Sequence, residues 1–213
     1  MTARPSARVA LGPEGFARLV DVSRETLEGL TAYVALLARW NQRINLVGRA
    51  TMGDVWRRHI LDSAQLFPLI PARARTLVDL GSGAGLPGLI LAVMGVPEVH
   101  LVESDQRKAA FLREAVRVTG AGATIHAHRI EKLPAFAADV VTARALAPLP
   151  QLLELSRKFI GPLTTCVFLR GASGEDELTA PIKAWTMRIN QFPSVSDPAG
   201  SILRLDNFAH DPG

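Results

Sequence analysis

The segment Asp79-Leu80-Gly81-Ser82-Gly83-Ala84-Gly85-Leu86-Pro87-Gly88 constrains this chain more than any other. It follows a short apolar run at 76–80 that reads as a strand. It precedes a run at 87–94 that reads as a helix. Glycines at 81, 83 and 85 permit backbone angles and close approaches that a Cβ would forbid. Proline is pre-organised for the first helical position, so Pro87 marks a helix start. A glycine turn between strand and helix faces the carboxyl end of a sheet, where α/β folds bind their ligands.

The rest of the chain supplies such a sheet. Strand-like runs at 99–103, 124–127, 139–143 and 164–169 alternate with helical patterns at 107–118 and 149–159. That alternation predicts parallel pairing with right-handed crossovers. The tail differs: 185–192 and 201–208 both read as strands, joined by a loop at 193–200, which predicts an antiparallel hairpin at the sheet's end. Upstream, 13–22 reads as a short helix. Ser23 caps a longer one, in which Leu27, Leu30, Val34, Leu37, Trp40 and Ile44 recur at helical spacing and Arg24, Glu28, Arg39 and Arg43 lie on the polar side. Thr51 and Asp54 resemble a capping box opening a helix that carries Val55, Trp56, Ile60, Leu61 and Ala64 and ends before Pro68. The expected organisation is a helical extension, 1–70, packed on a ligand-binding domain, 71–213, as a single unit.

Two ligands fit the glycine turn. Residues 79–85 match the D-x-G-x-G-x-G of adenosylmethionine enzymes, whereas Gly83, Gly85 and Gly88 give the G-x-G-x-x-G of a nicotinamide site. Both readings use Glu103 as the acceptor for ribose hydroxyls, and a plain packing turn is the bland alternative. Three features favour the first. Asp79 is placed to bind the cofactor's ammonium, directly or through water, and a nicotinamide site has no need of it. The chain lacks the second domain that holds a dehydrogenase's substrate, and a terminal hairpin is wrong for an all-parallel dinucleotide fold. The fold class is therefore read as α/β, a Rossmann-like class I methyltransferase sheet with helices on both faces, a C-terminal antiparallel hairpin and an N-terminal helical extension. S-adenosyl-L-methionine is the expected cofactor and S-adenosyl-L-homocysteine the product.

Composition narrows the partners. No apolar run approaches the ~18 residues of a membrane span, and residues 1–12 carry no signal-peptide core, so a soluble cytoplasmic protein is expected. Cys166 is the only cysteine and the five histidines form no metal-binding pattern, so neither a disulfide nor a metal is expected. The formal charge is +4, but residues 1–75 carry 11 Arg against 6 acids while the remainder is slightly acidic. A basic footprint ahead of the ligand-binding part suits a nucleic acid. A solvated, arginine-biased surface gives the same count, since only 4 of the 24 basic residues are lysine, and charge alone leaves both readings open.

Other positions have two readings each. Ile130 and Glu131 follow the third strand, where an adenine ring would lie; an ordinary loop is the alternative. Arg144 ends the fourth strand over the site, and its planar fork of donors suits a carboxylate or phosphate. Cys166 within an apolar strand is inert core, not a nucleophile. Arg170, just after the fifth strand, suits an RNA phosphate or a simple strand-end charge. Arg58 and His59 lie on a helix with Asp62 one turn from His59, which makes either a helix-end hydrogen bond or an RNA-facing surface.

Taken together, Trp40-Asn41 with Asn45-Leu46, Arg58-His59-Ile60-Leu61-Asp62-Ser63, the run 81–88 ending Gly-Leu-Pro-Gly, and Ala143-Arg144-Ala145 make the chain resemble a family. It is that of bacterial ribosomal small-subunit methyltransferase G, also called glucose-inhibited division protein B, and the resemblance spans roughly 25–207. It implies methyl transfer to guanine N7 in 16S ribosomal RNA, at position 527 in the family; separately, a monomer with no membrane partner is expected. It also implies cofactor contacts at Gly81, Leu86, Ile130, Glu131 and Arg144; the RNA contacts expected are Arg58, His59, Ser63 and Arg170. Arg170 stands where relatives often have lysine, and Glu103 where some have aspartate. Guanine N7 carries no proton, so no general base is required and Arg144 is expected to orient cofactor or RNA. A catalytically silent RNA-binding assembly factor that retains the pocket is the main rival, and an NAD(P)-dependent oxidoreductase a distant one.

Overall fold

The computed structural model describes residues 10–171 and 185–210; most of the N-terminal stretch expected to lack a leader, and the last three residues of the expected 71–213 domain, lie outside them. The strands Thr76–Leu80 (β1), Glu98–Val102 (β2), Ala123–His126 (β3), Val140–Arg144 (β4), Thr165–Arg170 (β5), Trp185–Pro193 (β6) and Ser201–His210 (β7) form one seven-stranded sheet. Its order is β3-β2-β1-β4-β5-β7-β6. The first five strands pair in parallel, and β7 runs antiparallel to both β5 and β6. The fold is the expected α/β, Rossmann-like sheet closed by an antiparallel hairpin. Within the hairpin it is β7 that docks on β5, so the chain first crosses to the sheet edge and then returns.

Parallel strands are buried on both faces, and the pleat sends alternate residues to opposite layers. Val78, Leu80, Val141, Cys166 and Phe168 pack against Leu149, Leu152 and Leu153 of Leu149–Ser156 (α6). Leu77, Leu101, Val140 and Val167 face the other layer. That layer comprises Pro13–Ala17 (α1), Arg24–Trp40 (α2), Gly88–Val93 (α4) and Gln106–Thr119 (α5), with the short helical segments before β1.

The Ser23 hydroxyl accepts from Thr26 N at 3.2 Å, as a helix cap should. The side chains of α2 that become fully buried are Leu30, Tyr33, Leu36 and Leu37. Tyr33 and Trp40 set their ring edges against Phe111 of α5, with centroids 6.2 and 5.8 Å away. Residues of the N-terminal helices thus share one hydrophobic core with the sheet. No helix among the described residues is long and apolar enough to cross a membrane.

Four local expectations need correction. α1 ends at Ala17, and Leu19, read as part of that helix, is 61% exposed. Thr51 and Asp54 make no capping box. Arg49–Asp54 is a 3-10 turn, and the Asp54 carboxylate instead holds Leu11 N at 2.8 Å and Arg57 at 3.1 Å. The next helix is a π-helical stretch, Trp56–Leu61, that runs into one α turn, Asp62–Ala64 (α3). Pro87 stands one residue before α4, at its cap.

β1 lies between β2 and β4, with the crossover after β1 leading to one side and the one after β3 returning to the other. This is the switch point at which an open α/β sheet leaves a crevice beyond its carboxyl ends.

Candidate active site

The crevice has two lobes sharing one wall: Gly81, Gly83, Lys108, Arg144 and Ala145 line both. The smaller lobe, about 370 Å³, runs from Glu103 past Ile130 and Glu131 to Leu146 and Leu155. The larger, about 460 Å³, is bounded by Thr51, Arg58, His59, Leu86, Arg170 and the hairpin loop at Asp197.

The glycine loop is built as the spacing demands. Gly81, Gly83 and Gly85 have φ of +67, +56 and +83°, where side chains other than glycine's are strained. Gly88, on α4, is needed for contact instead: a Cβ there would lie 2.5 Å from the Asp79 Cβ. Ser82 N bonds Val102 O at 2.9 Å, and the Glu103 carboxylate accepts from Gly83 N at 2.9 Å and Asp105 N at 2.7 Å. Glu103 therefore clamps the loop while facing the smaller lobe. Under the same loop, the buried Tyr33 hydroxyl donates to Ala84 O at 2.7 Å.

Asp79 and Gly85 line neither lobe. Asp79 is fully buried beneath the loop, where its Oδ1 accepts from the neighbouring strand's Thr142 at 2.8 Å and its Oδ2 has no hydrogen-bond partner. Burial pushes its pKa up to about 6, against the pull of the Thr142 hydrogen bond, of the Ser82 hydroxyl and Gly88 N–H dipoles nearby and of the Arg144 charge. Gly85 packs against Leu89 and Leu112.

Arg144 ends β4, and Ala145 follows it with φ +50°, a sharp turn in the cavity wall. The Arg144 guanidinium meets His59 Nδ1 at 3.2 Å and Asp62 Oδ2 at 3.3 Å. The expected contact between His59 and Asp62 is thus replaced by a shared contact with Arg144. The π-helical stretch explains this: Asp62 N bonds back five residues to Arg57 O, so the two side chains no longer stand one α turn apart. His59 is buried, and that burial, then the charges of Arg144 and Arg58, lowers its pKa to about 3. Arg58 pairs with Asp197 at 2.7 Å across the mouth of the larger lobe. Arg170 lines that lobe and donates to Ala147 O at 2.7 Å.

Ser63 does not reach the cavity. It is fully buried and donates to the His59 carbonyl at 2.8 Å, which leaves no surface for the RNA contact expected of it. Sequence reasoning also missed residues that shape the site. Tyr33 supports the loop and Lys108 lines both lobes. Ser196 donates to Asp62, while Gln65 holds Ser194 and Val195 N at 3.0 and 2.8 Å, fastening the hairpin loop to the His59 segment. Cys166 is buried in β5 and burial raises its pKa, as inert core. Among the described residues, no cluster of three or more His, Cys, Asp or Glu is arranged for a metal.

The sequence model of the family described as rRNA small subunit methyltransferase G matches residues 26–199. The chain belongs to this family. Its relatives include the ribosomal RNA small subunit methyltransferase G of Rhodospirillum centenum, 59% identical over 194 residues, covering 91% of this chain and 90% of the relative. The protein of that name from Rhodospirillum rubrum is 57% identical, covering 91% and 96%. Among solved structures, the ribosomal protein L11 methylase of Lactobacillus delbrueckii superposes with a TM-score of 0.57 at 11% identity, covering 68% of this chain and 76% of that one. M. jannaschii TYW2 in complex with AdoMet gives 0.56 at 12% identity, covering 80% of each. At such identities these two speak for the fold, and it is the fold of methyltransferases.

Proposed function

We propose that this chain transfers a methyl group from S-adenosyl-L-methionine to N7 of a guanine in 16S ribosomal RNA, at the family's position 527, leaving S-adenosyl-L-homocysteine. The observation that carries the reading is the position of Arg144. It stands in the wall between a nucleoside-sized lobe ending at a carboxylate and a second lobe rimmed by cations.

The residues present fit the cofactor. A nucleoside needs an acceptor for its ribose hydroxyls and an apolar slot for its base. The smaller lobe offers Glu103 for the first and Ile130, Leu146 and Leu155 for the second. Glu131 lies on the same wall, and the loop around Gly81, Gly83 and Leu86 would face the amino acid portion. Asp79, beneath that loop with Oδ2 unpartnered, would act on the ammonium through water. When bound, the cofactor supplies an electrophilic sulfonium methyl.

The larger lobe would take the guanine. Its N7 presents a lone pair and no proton, so the site needs no general base, and no side chain described here is poised as one. His59 is neutral with both ring nitrogens engaged, and Asp62 is held by Arg144 and Ser196. Catalysis then rests on alignment, exclusion of water and fixed charge. Arg144 would orient the base or the phosphate beside it. Arg58, His59 and Arg170 would line the RNA's approach. Such a substrate places the chain in the cytoplasm, and one copy carries a complete crevice, consistent with action as a monomer.

Incubation with methyl-labelled cofactor and small subunits lacking the modification tests the reading. Label in 16S RNA is expected. No label on subunits or naked RNA, with the cofactor bound, would favour a silent assembly factor.

A further inference from the structure

A second groove, about 680 Å³, lies between the end of α2 and the first turns of α5. Arg39, Trp40, Arg43, Ile44, Arg107 and Glu114 line it. The single carboxylate is occupied by the Trp40 Nε1–H at 2.9 Å. Among the described residues the Arg107 guanidinium pairs only with Asp105, at 3.4 Å, and its own side chain is 75% exposed. Arg39 and Arg43 are exposed and form no ion pair with any described residue. An arginine-bearing helix face is ordinarily just solvated, and exposure alone would say no more.

Continuity with the active site says more. Ile44 of the groove is two residues from Leu46, and Leu46 lines the larger lobe. Arg107 is followed at once by Lys108, which lines both lobes. The same turn after α2 and the same first turn of α5 wall both cavities, so positive charge runs from Arg39 and Arg43 past Arg107 and Lys108 to Arg144. It also accounts for part of the arginine excess in residues 1–75.

We propose that this groove holds the backbone of an RNA strand leading to the target nucleotide, with Arg39, Arg43 and Arg107 against its phosphates. The proposal rests on the reading above that RNA is the substrate. Phosphate contacts fix register and supply affinity without reading sequence, and each adds to the salt dependence of binding.

The test is direct binding of unmodified small subunits by filter retention across 50 to 200 mM salt, with no methyl transfer required. Arg39→Gln with Arg43→Gln removes two of the groove's charges. Arg113→Gln with Arg117→Gln removes two exposed arginines of α5 that line neither cavity, controlling for net charge. The groove pair is expected to weaken binding about tenfold at low salt and to make the slope of log affinity against log salt shallower by about 1 to 2. The control pair should change neither. Equal loss in both pairs, or none in either, overturns the groove. Tight binding by the unsubstituted chain without methyl transfer would instead overturn the enzymatic reading and leave the groove standing.

Discussion

His59 Nδ1 lies 3.2 Å from Arg144 Nη1, and the imidazole is the acceptor. The far side of the ring fixes this. The Thr51 hydroxyl donates to Gly48 O at 2.7 Å, so its oxygen is left to accept from His59 Nε2–H at 2.8 Å. Nδ1 then keeps its lone pair and receives a guanidinium N–H. With Asp62 on the same Nη1, two acceptors set the direction of Arg144.

His59→Gln and His59→Asn separate the two ends of that ring. Asparagine can put an oxygen where Nδ1 stands, and glutamine a donor where Nε2 stands. His59→Gln should therefore lower kcat roughly 10- to 100-fold, the value of a hydrogen bond to a charged group. His59→Asn should retain most of it, with cofactor affinity near normal in both. Equal rates for the two variants would remove His59 as the residue that positions Arg144.

Tyr33→Phe tests the support beneath the loop. The change deletes one hydroxyl and leaves the buried Ala84 carbonyl short of its donor, which costs about 1–3 kcal/mol. Thermal melting should fall by several degrees, and calorimetric titration should show weaker cofactor binding. A variant that melts lower but binds cofactor as before would confine Tyr33 to the core.

Gly88→Ala should be severe. Its Cβ would meet the Asp79 Cβ at 2.5 Å and Leu101 Cδ2 at 2.7 Å, and the first of these is rigidly attached to β1. Overpacking of this kind costs about 1–3 kcal/mol or more, measurable by urea unfolding. Gly95→Ala is the contrast: nothing lies within 4 Å of its Cβ, so any loss comes from its φ of +113° alone.

Acid should reveal an opposition between two buried groups. His59 has its pKa lowered to about 3, so between that value and its ordinary 6.5 the unfolded chain binds a proton that the folded one refuses. Stability from His59 therefore falls as pH drops through this window. Asp79 is raised from 3.8 to about 6, so the folded chain takes the extra proton and stability from Asp79 rises as pH drops from 6 to 4. The two slopes cancel in that interval. Asp79→Asn removes one of them, and urea unfolding of the variant should show stability falling by up to about 1.4 kcal/mol per pH unit between pH 6 and 4. A variant whose profile parallels the parent's there would contradict the assignment of Asp79.

Much of the fold was legible because parallel strands are continuous apolar runs and the glycine spacing marks the turn between β1 and α4. Arg144 and Glu103 were legible for the same reason: each stands at the carboxyl end of a strand whose position the pattern gives. Tyr33 was not, since a tyrosine in an apolar helical stripe looks like core, and its partner Ala84 is 51 residues away. The convergence of His59 and Asp62 on Arg144 was hidden by the π-helical stretch, which no simple periodicity announces and which also turned Ser63 inward. Ser194 and Ser196 read as loop residues because their partners, Gln65 and Asp62, lie across the molecule.

The methyl group is expected on N7 of a single guanine. Small subunits lacking the modification should be methylated with labelled cofactor, their 16S RNA reduced with borohydride and cleaved with aniline, and the break mapped. A 7-methylguanosine is the nucleotide this chemistry opens, so one break at a single guanine that co-migrates with the label is the expected result. Label in the RNA without a break, or breaks at many guanines, would contradict transfer to a single guanine N7.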